Sequence, residues 1–171
     1  MINFLDIAYL RNGNNKQQKA YHILKSNKVL EKLHSYAPIL VGTIPIEIDI
    51  KTSDLDIICE MKDELAFTND LSNFFGAEKA FSISRNDSFK SIKASFMIGG
   101  FEVEIFGQHI PTIMQNAYRH MLVEYRILQE RGEDFKQEII KLKAAGYKTE
   151  PAFAKLLNLE GDPYEALLRI E

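Results

Sequence analysis

Val41–Glu60 reads V-G-T-I-P-I-E-I-D-I-K-T-S-D-L-D-I-I-C-E, and this stretch decides how the rest of the chain is interpreted. The alternation at its end predicts a strand in which Asp54 and Asp56 point to one face of a sheet. Leu55 and Ile57 point to the opposite face. A strand that begins with two acids on one face and continues into apolar residues indicates a metal site at the mouth of the strand.

Composition limits the class of protein before any motif is considered. The chain has 171 residues, 46% of them hydrophobic, which suits one domain with a substantial core. Its net charge of −3 argues against generic binding of duplex nucleic acid, which depends on a basic surface. No apolar run approaches the roughly 18 residues that cross a bilayer, and the first residues do not resemble a signal peptide. The single cysteine, Cys59, is expected to be a buried thiol in a reducing cytoplasm.

The residues before the acidic strand predict a helix, a short strand and a loop. Apolar residues recur at helical spacing over residues 16–35, and Pro38 ends that segment. Ile39–Val41 is expected to be a short apolar strand. Residues 42–53 then form a loop, because Pro45 prevents a regular strand.

The residues after the acidic strand predict one helix and three more strands. Asp63 is expected to cap a helix that runs to about Phe75 and ends at Gly76. The predicted strands are 79–85, 89–98 and 101–106, with the last two joined by a two-residue turn at Gly99-Gly100.

The pattern changes to helix after Pro111. The predicted helices are 112–131, stopped by Gly132, then 134–145, 151–157 and 163–170. We therefore expect an α+β fold, a mixed β-sheet with flanking helices and a C-terminal helical lobe. Residues 1–110 would form the α/β core and residues 111–171 the lobe packed on it, within a single compact domain.

The acidic strand and the turn before it suit transfer of a nucleotidyl group. Mg²⁺ prefers oxygen ligands and is usually held by one or two carboxylates together with substrate phosphates. Asp54 and Asp56 supply such carboxylates, and crowded acids are tolerable mainly when a cation neutralises them. Gly42 lets a phosphate approach the backbone closely, while Thr43 offers a hydroxyl and an N–H to the terminal phosphates.

A second pair of acids lies on the strand predicted over residues 101–106. Glu102 and Glu104 share one face of that strand. In the simplest interpretation they lie on the solvent-exposed face of an antiparallel sheet. In the functional interpretation, one of them is a third carboxylate that shares a metal or removes the proton of the acceptor hydroxyl.

At these residues the chain resembles the nucleotidyltransferase superfamily. The signature of that superfamily is a Gly-Ser or Gly-Gly turn, an Asp-x-Asp strand and a third acid on a neighbouring strand. Within it, the chain resembles a small bacterial family of unknown function, through segments that cover most of the sequence: G-T-I-P, S-D-L-D-I-I-C-E, E-I-F-G-Q, N-A-Y-R-H-M and K-T-E-P-A-F-A.

The resemblance implies specific roles for the residues of these segments. Gly42 and Thr43 would contact the triphosphate, Asp54 and Asp56 would bind Mg²⁺ or Mn²⁺, and Glu104 would be the third acid. Glu104 is preferred to Glu102 because it lies further into the strand, directly before apolar residues. Threonine stands where serine is commoner in the superfamily, and glutamate where a third aspartate is commoner.

Four more polar residues are candidate contacts for the nucleoside triphosphate. Ser53 precedes the acidic strand, and Gln108 follows the third acid on its strand. Arg119 and Lys148 belong to the predicted helical lobe, from which a cation can reach a triphosphate. Each of these four is an ordinary surface or structural residue in the alternative interpretation.

The function expected from these patterns is transfer of a nucleoside monophosphate from a triphosphate to a hydroxyl. A small molecule or a protein is favoured as acceptor, because nothing beyond the lobe is available to grip a long nucleic acid. A non-catalytic nucleotide-binding or antitoxin-like regulatory module of the same fold is the first alternative. A glycosyltransferase with an Asp-x-Asp metal site is the second, and it leaves the Gly-Thr turn and the second acidic strand without a role.

Overall fold

The computed structural model describes residues 2–170, and the contacts between residues divide the chain into two units. The first unit comprises the residues up to Val41 together with Asp54–Gln115, and the second comprises Gly42–Ser53 together with the residues from Asn116 onward. The expected boundary between residues 110 and 111 therefore stays a prediction.

The first unit contains a five-stranded mixed sheet. Its strands are β1 (Ile39–Val41), β2 (Leu55–Glu60), β3 (Lys79–Asn86), β4 (Ser91–Ile98) and β5 (Phe101–Gln108). The strand order is β1-β2-β5-β4-β3, so β5 is central and lies between β2 and β4. The β2–β5 pair is parallel and the other three pairs are antiparallel. The α+β class with a mixed sheet and flanking helices is confirmed.

Six α-helices accompany the sheet in the part of the chain that the structure describes. The first unit contains α1 (Asn15–Ser26), α2 (Val29–Lys32) and α3 (Glu64–Phe75), and the second contains α4 (Asn116–Ala144), α5 (Thr149–Leu157) and α6 (Pro163–Leu168). Short 3₁₀ segments lie at Ile7–Asn12, His34–Tyr36 and Thr112–Met114. Among residues 2–170, no helix is long and apolar enough to cross a membrane.

The prediction of one helix over residues 16–35 is wrong. Asn27 ends α1, where its side-chain amide donates to the carbonyl oxygen of Ile23 at 2.9 Å. Lys28 then adopts a left-handed backbone conformation with φ of 54°, which breaks the helical path before α2. Apolar spacing continued across the break, and the periodicity alone therefore did not reveal it.

Other predicted boundaries follow local chemistry and are confirmed or shifted slightly. The Asp63 carboxylate accepts from the backbone N–H of Ala66 at 2.9 Å and caps α3 as predicted. Gly99 and Gly100 both have positive φ, as the predicted two-residue turn requires. Gly132, at φ of 78°, interrupts α4 at the predicted stop. The helix expected from residue 112 begins instead at Asn116, after a 3₁₀ turn.

One face of the sheet is a packed apolar layer. Val103 and Ile105 on β5 are fully buried, and Phe67 and Phe75 of α3 are also in the core. The Phe75 ring stacks on Phe96 of β4, with 4.7 Å between the ring centroids. An aromatic pair of this kind adds about 0.5–1.5 kcal/mol beyond the burial of its area.

Candidate functional site

Asp56 and Glu104 lie side by side on the adjacent strands β2 and β5. Asp56 of β2 is the register partner of Glu104 in the parallel strand β5. Neighbouring strands are about 4.8 Å apart, and register partners point to the same face of a sheet. Both side chains are half-buried, and so is Asp54, which immediately precedes β2. The register therefore brings together two of the three predicted metal-binding residues.

The opposite face of the same strands is apolar, as predicted. Leu55 pairs with Val103 and Ile57 pairs with Ile105, and all four residues are buried. Cys59 follows on this face, is fully buried, and burial raises the pKa of its thiol. The thiol therefore stays protonated and unreactive, as expected of a structural cysteine.

Glu104 also contacts a cation that the sequence patterns did not single out. The Lys93 Nζ atom on β4 lies 2.6 Å from Glu104 Oε2. The pKa of Lys93 is raised, first by this hydrogen bond, against an opposing effect of burial, and then by the charges of Glu104, Glu102 and Asp54. These three acids and Lys93 thus form one electrostatic cluster on the polar face. Asp56 lies beside Glu104 in the strand register. The sequence did contain a signal for this contact, because a lysine stands among the apolar and small residues of a predicted neighbouring strand.

The carboxylates suit a magnesium ion in their chemistry and in the face they share. Mg²⁺ requires oxygen ligands, which carboxylates supply, and substrate phosphates complete such sites. In residues 2–170, however, no three His, Cys, Asp or Glu side chains are grouped so that they could hold a metal. Glu104 is turned toward Lys93 instead. If Asp54, Asp56 and Glu104 are to hold a metal together, Glu104 must therefore break its ion pair with Lys93.

The loop that contains Gly42, Thr43 and Ser53 belongs to the second unit and is held by its own hydrogen bonds. Gly42 has φ of 83°, a conformation that favours glycine. The Thr43 hydroxyl donates to Ser53 Oγ at 3.2 Å, and the backbone N–H of Ile50 donates to the same oxygen at 2.9 Å. Ser53 therefore closes the loop, a structural role in addition to the predicted contact with a triphosphate.

The same loop is tied to α4 of the second unit by one ion pair. Ile44, Ile46 and Ile48 are buried. The Lys136 Nζ atom of α4 lies 2.7 Å from Glu47 Oε2. Glu47 itself has a positive φ of 60°, so the chain turns tightly there.

The other predicted triphosphate contacts are spread over both units. Gln108 ends β5, four residues beyond Glu104, which places it about 13 Å further along the strand. Its backbone carbonyl accepts from the N–H of Met61 at 2.7 Å. Arg119 is half-buried in α4, and Lys148 is exposed immediately before α5. Their roles toward a nucleotide stay predictions.

A second cluster of ionisable groups lies within the helices of the second unit. Burial raises the pKa of Glu124 well above its ordinary value, the charge of Glu150 raises it further, and Lys143 opposes both. His120, one helical turn before Glu124, has Nε2 at 3.0 Å from the Tyr164 carbonyl oxygen and Nδ1 at 3.6 Å from Glu150 Oε1. An acid at a helical core position was the signal in the sequence for this cluster.

Comparison with solved structures defines the class of fold. A crystal structure of Cid1 poly(U) polymerase with MgGTP bound is 15% identical, with a TM-score of 0.56 over 76% of this chain and 42% of that chain. The polymerase core of TRAMP, an RNA surveillance complex, is 10% identical, with a TM-score of 0.56 over 94% and 50%. A Cid1 mutant bound to MgATP is 15% identical, with a TM-score of 0.53 over 90% of this chain and 49% of that chain. The protein therefore has a nucleotidyltransferase-like fold, and it spans about half or less of these chains.

The sequence itself identifies the family. Residues 22–170 match the family described as "Domain of unknown function (DUF4269)". The chain belongs to this family. Comparison with curated proteins gave no match.

Proposed function

We propose that the protein is a Mg²⁺-dependent nucleotidyltransferase that moves a nucleoside monophosphate from a nucleoside triphosphate to a hydroxyl, which loses its proton as pyrophosphate is released. The observation that carries this proposal is the pairing of Asp56 with Glu104 on adjacent parallel strands of a nucleotidyltransferase-like sheet. Mn²⁺ has the same preference for oxygen ligands and is expected to substitute for Mg²⁺. The solved structures with this fold include complexes described as MgGTP-bound and MgATP-bound, which is consistent with a metal–triphosphate substrate.

In this proposal each candidate site residue has a stated task. Asp54 and Asp56 hold the metal that neutralises charge on the triphosphate, and Glu104 completes the ligand set or takes the proton of the acceptor hydroxyl. Gly42 and Thr43 contact the phosphates through backbone N–H groups and a hydroxyl. Ser53 keeps the loop in shape through its two hydrogen bonds. Gln108, Arg119 and Lys148 are further proposed contacts of the nucleotide.

A small-molecule or protein hydroxyl remains our preferred acceptor, because the net charge of −3 is unfavourable for a phosphate backbone. The structural neighbours favour RNA as a second acceptor class, since one is described as an RNA terminal uridylyl transferase. The acceptor experiment must therefore include all three classes. Each of the four α-labelled nucleoside triphosphates would be incubated with the protein, Mg²⁺ and, separately, a small-molecule extract, a protein extract and an RNA mixture.

A non-catalytic nucleotide-binding module is the second candidate function. The Lys93–Glu104 ion pair favours it, because a lysine takes one of the proposed metal ligands. Transfer of label to any acceptor would exclude this candidate. Stabilisation by Mg²⁺ and a triphosphate without any transfer would support it.

The metal–nucleotide site is tested by Asp56→Asn. With Mg²⁺ and a triphosphate at about 100 times Kd, the wild type should gain about 2.7 kcal/mol of unfolding free energy. Asp56→Asn should lose most of this gain and more than about 100-fold in transfer rate, because the amide removes a ligand charge. Thermal unfolding with and without ligand measures the first effect.

Asp87→Asn is the matched control for Asp56→Asn. The Asp87 side chain is 84% exposed in the turn between β3 and β4, where the same loss of charge should leave the response intact. Equal stabilisation of the wild type and Asp56→Asn would overturn the proposed site.

A further inference from the structure

We propose that Lys93 is an internal counter-ion that competes with the divalent cation for Glu104, so that metal binding requires the lysine to be displaced. This inference rests on the proposed function, because it concerns the same carboxylates. It adds a residue that neither the sequence motif nor the strand pair identifies.

The position of Lys93 follows from the antiparallel register of β4 and β5. Ser95 pairs with Glu104 and Lys93 pairs with Phe106, so Lys93 and Glu104 are diagonal neighbours on one face. Diagonal neighbours are within reach of long side chains. The 2.6 Å separation between Lys93 Nζ and Glu104 Oε2 shows that the ammonium group occupies a carboxylate oxygen that a metal would use.

The negative charges on this face favour a cation beside Glu104. Asp56 lies beside Glu104 on the neighbouring strand, and Asp54 precedes it by two residues. Like charges at such short separations repel one another unless a cation neutralises them. Lys93 supplies one positive charge, whereas a bound Mg²⁺ supplies two. The lysine therefore stabilises the carboxylates before the metal binds and opposes the metal when it arrives.

The pair is accessible enough for such an exchange. The side chains of Lys93 and Glu104 are 46% and 27% exposed, so the ammonium group can move into solvent without unfolding β4. Ion pairs with this exposure are weak, so a divalent cation with phosphates can displace the lysine. We therefore expect weak binding of the bare metal and stronger binding of the metal with a triphosphate.

The test measures metal binding without turnover. Mn²⁺ binding to the full chain, without nucleotide, would be followed by the EPR signal of the free ion. Lys93→Met removes the competing charge at similar side-chain length and should tighten Mn²⁺ binding about three- to tenfold. Lys93→Arg keeps the charge and should bind Mn²⁺ no more tightly than the wild type.

Lys79→Met is the matched control. Lys79 lies on β3, one strand beyond β4, and is exposed, so its removal is the same change of charge further from Glu104. It should change Mn²⁺ affinity less than twofold, since screening at physiological salt acts over about 8 Å. Thermal unfolding without ligand would check that all three variants are folded.

The double variant Lys93→Met/Glu104→Gln shows whether Lys93 acts through Glu104. Without the Glu104 carboxylate, Lys93→Met should give little or no tightening. Equal tightening in both backgrounds would contradict the inference, and so would equal affinities for Lys93→Met and Lys79→Met. In either case a measurable wild-type affinity would leave the proposed metal site intact. Absence of Mn²⁺ binding in every variant, with and without a triphosphate, would overturn the proposed site as well.

Discussion

The two faces of β2 and β5 differ in burial and charge. On one face, Val103 and Ile105 are fully buried. On the other, Asp56 pairs with Glu104, and Glu104 contacts Lys93 in a setting that solvent reaches. The alternation of a strand thus places the buried core and the residues of the proposed site on opposite faces. Substitutions on the polar face should change binding and activity, whereas substitutions on the apolar face should change the unfolding free energy.

The largest effect that separates these faces is expected from Glu104→Gln. The amide keeps the size of the side chain but loses the charge that a metal or a proton needs, so transfer should fall by about 100-fold or more. The unfolding free energy should change by less than about 1 kcal/mol, because the Lys93 pair is half-exposed. Initial rates with a labelled triphosphate and urea unfolding measure the two effects.

Glu102→Gln is the matched control for Glu104→Gln, because Glu102 lies two residues earlier on the same face. Its register partner on β4 is Met97, and its side chain is exposed. It should retain transfer within about threefold, since a charge screened by solvent contributes little. A larger loss in Glu102→Gln than in Glu104→Gln would exchange their assigned roles.

The opposite result is expected from Gly107→Ala on the apolar face. A Cβ atom at Gly107 would lie 2.3 Å from Phe67 Cε1. Phe67 is fully buried and packs edge-to-face on Tyr36, with 4.7 Å between centroids, so its ring has little room to move. Overpacking of this kind costs about 1–3 kcal/mol. Urea unfolding should show that loss, while the response to Mg²⁺ and a triphosphate persists below the melting temperature.

The double variant Gly107→Ala/Phe67→Leu tests the cause of that loss. A smaller side chain at residue 67 removes the ring that the new methyl group meets. The two substitutions should therefore destabilise less together than the sum of their separate effects. Strict additivity would mean that the methyl group and the ring do not collide.

The smallest effect concerns a carboxyl group in a third setting, Glu124 within the helices of the second unit. Burial raises the pKa of Glu124 above its ordinary 4.5 in the folded protein, so the unfolded chain loses this proton first as the pH rises. The unfolding free energy of the wild type therefore falls as the pH rises above 4.5, until the pH reaches the pKa of Glu124 in the folded protein. Glu124→Gln cannot titrate, and its unfolding free energy relative to the wild type should increase with pH in that window.

Glu138→Gln is the control for the pH experiment. The Glu138 side chain is 53% exposed, so Glu138→Gln is the same change of charge in a carboxyl group that is not buried. A pH-dependent difference as large as that of Glu124→Gln would mean that burial is not its cause. Urea unfolding from pH 4 to pH 8 would measure both variants. Parallel curves for the wild type and Glu124→Gln would contradict the burial effect.

Local features were predictable because neighbouring residues decide them. The Asp63 cap depends on one hydrogen bond three residues away, and the turn at Gly99-Gly100 depends on the backbone freedom of glycine. The break at Lys28 was missed because a left-handed lysine between two helices leaves no mark in the apolar spacing. The contact between Lys93 and Glu104 was missed because it depends on which strands become neighbours.

By itself, the sequence determined the alternation that gives Asp54 and Asp56 one face, since the pleat of a strand has a period of two. It also determined the class of fold, through the order of strands and helices. Only the tertiary structure decided that Asp56 pairs with Glu104, because that pairing joins residues 48 positions apart. The same is true of Lys93, whose ammonium group lies against Glu104 only after β4 and β5 adopt their register. The sequence states which residues carry charge, whereas the strand register decides which charged side chains meet and neutralise one another.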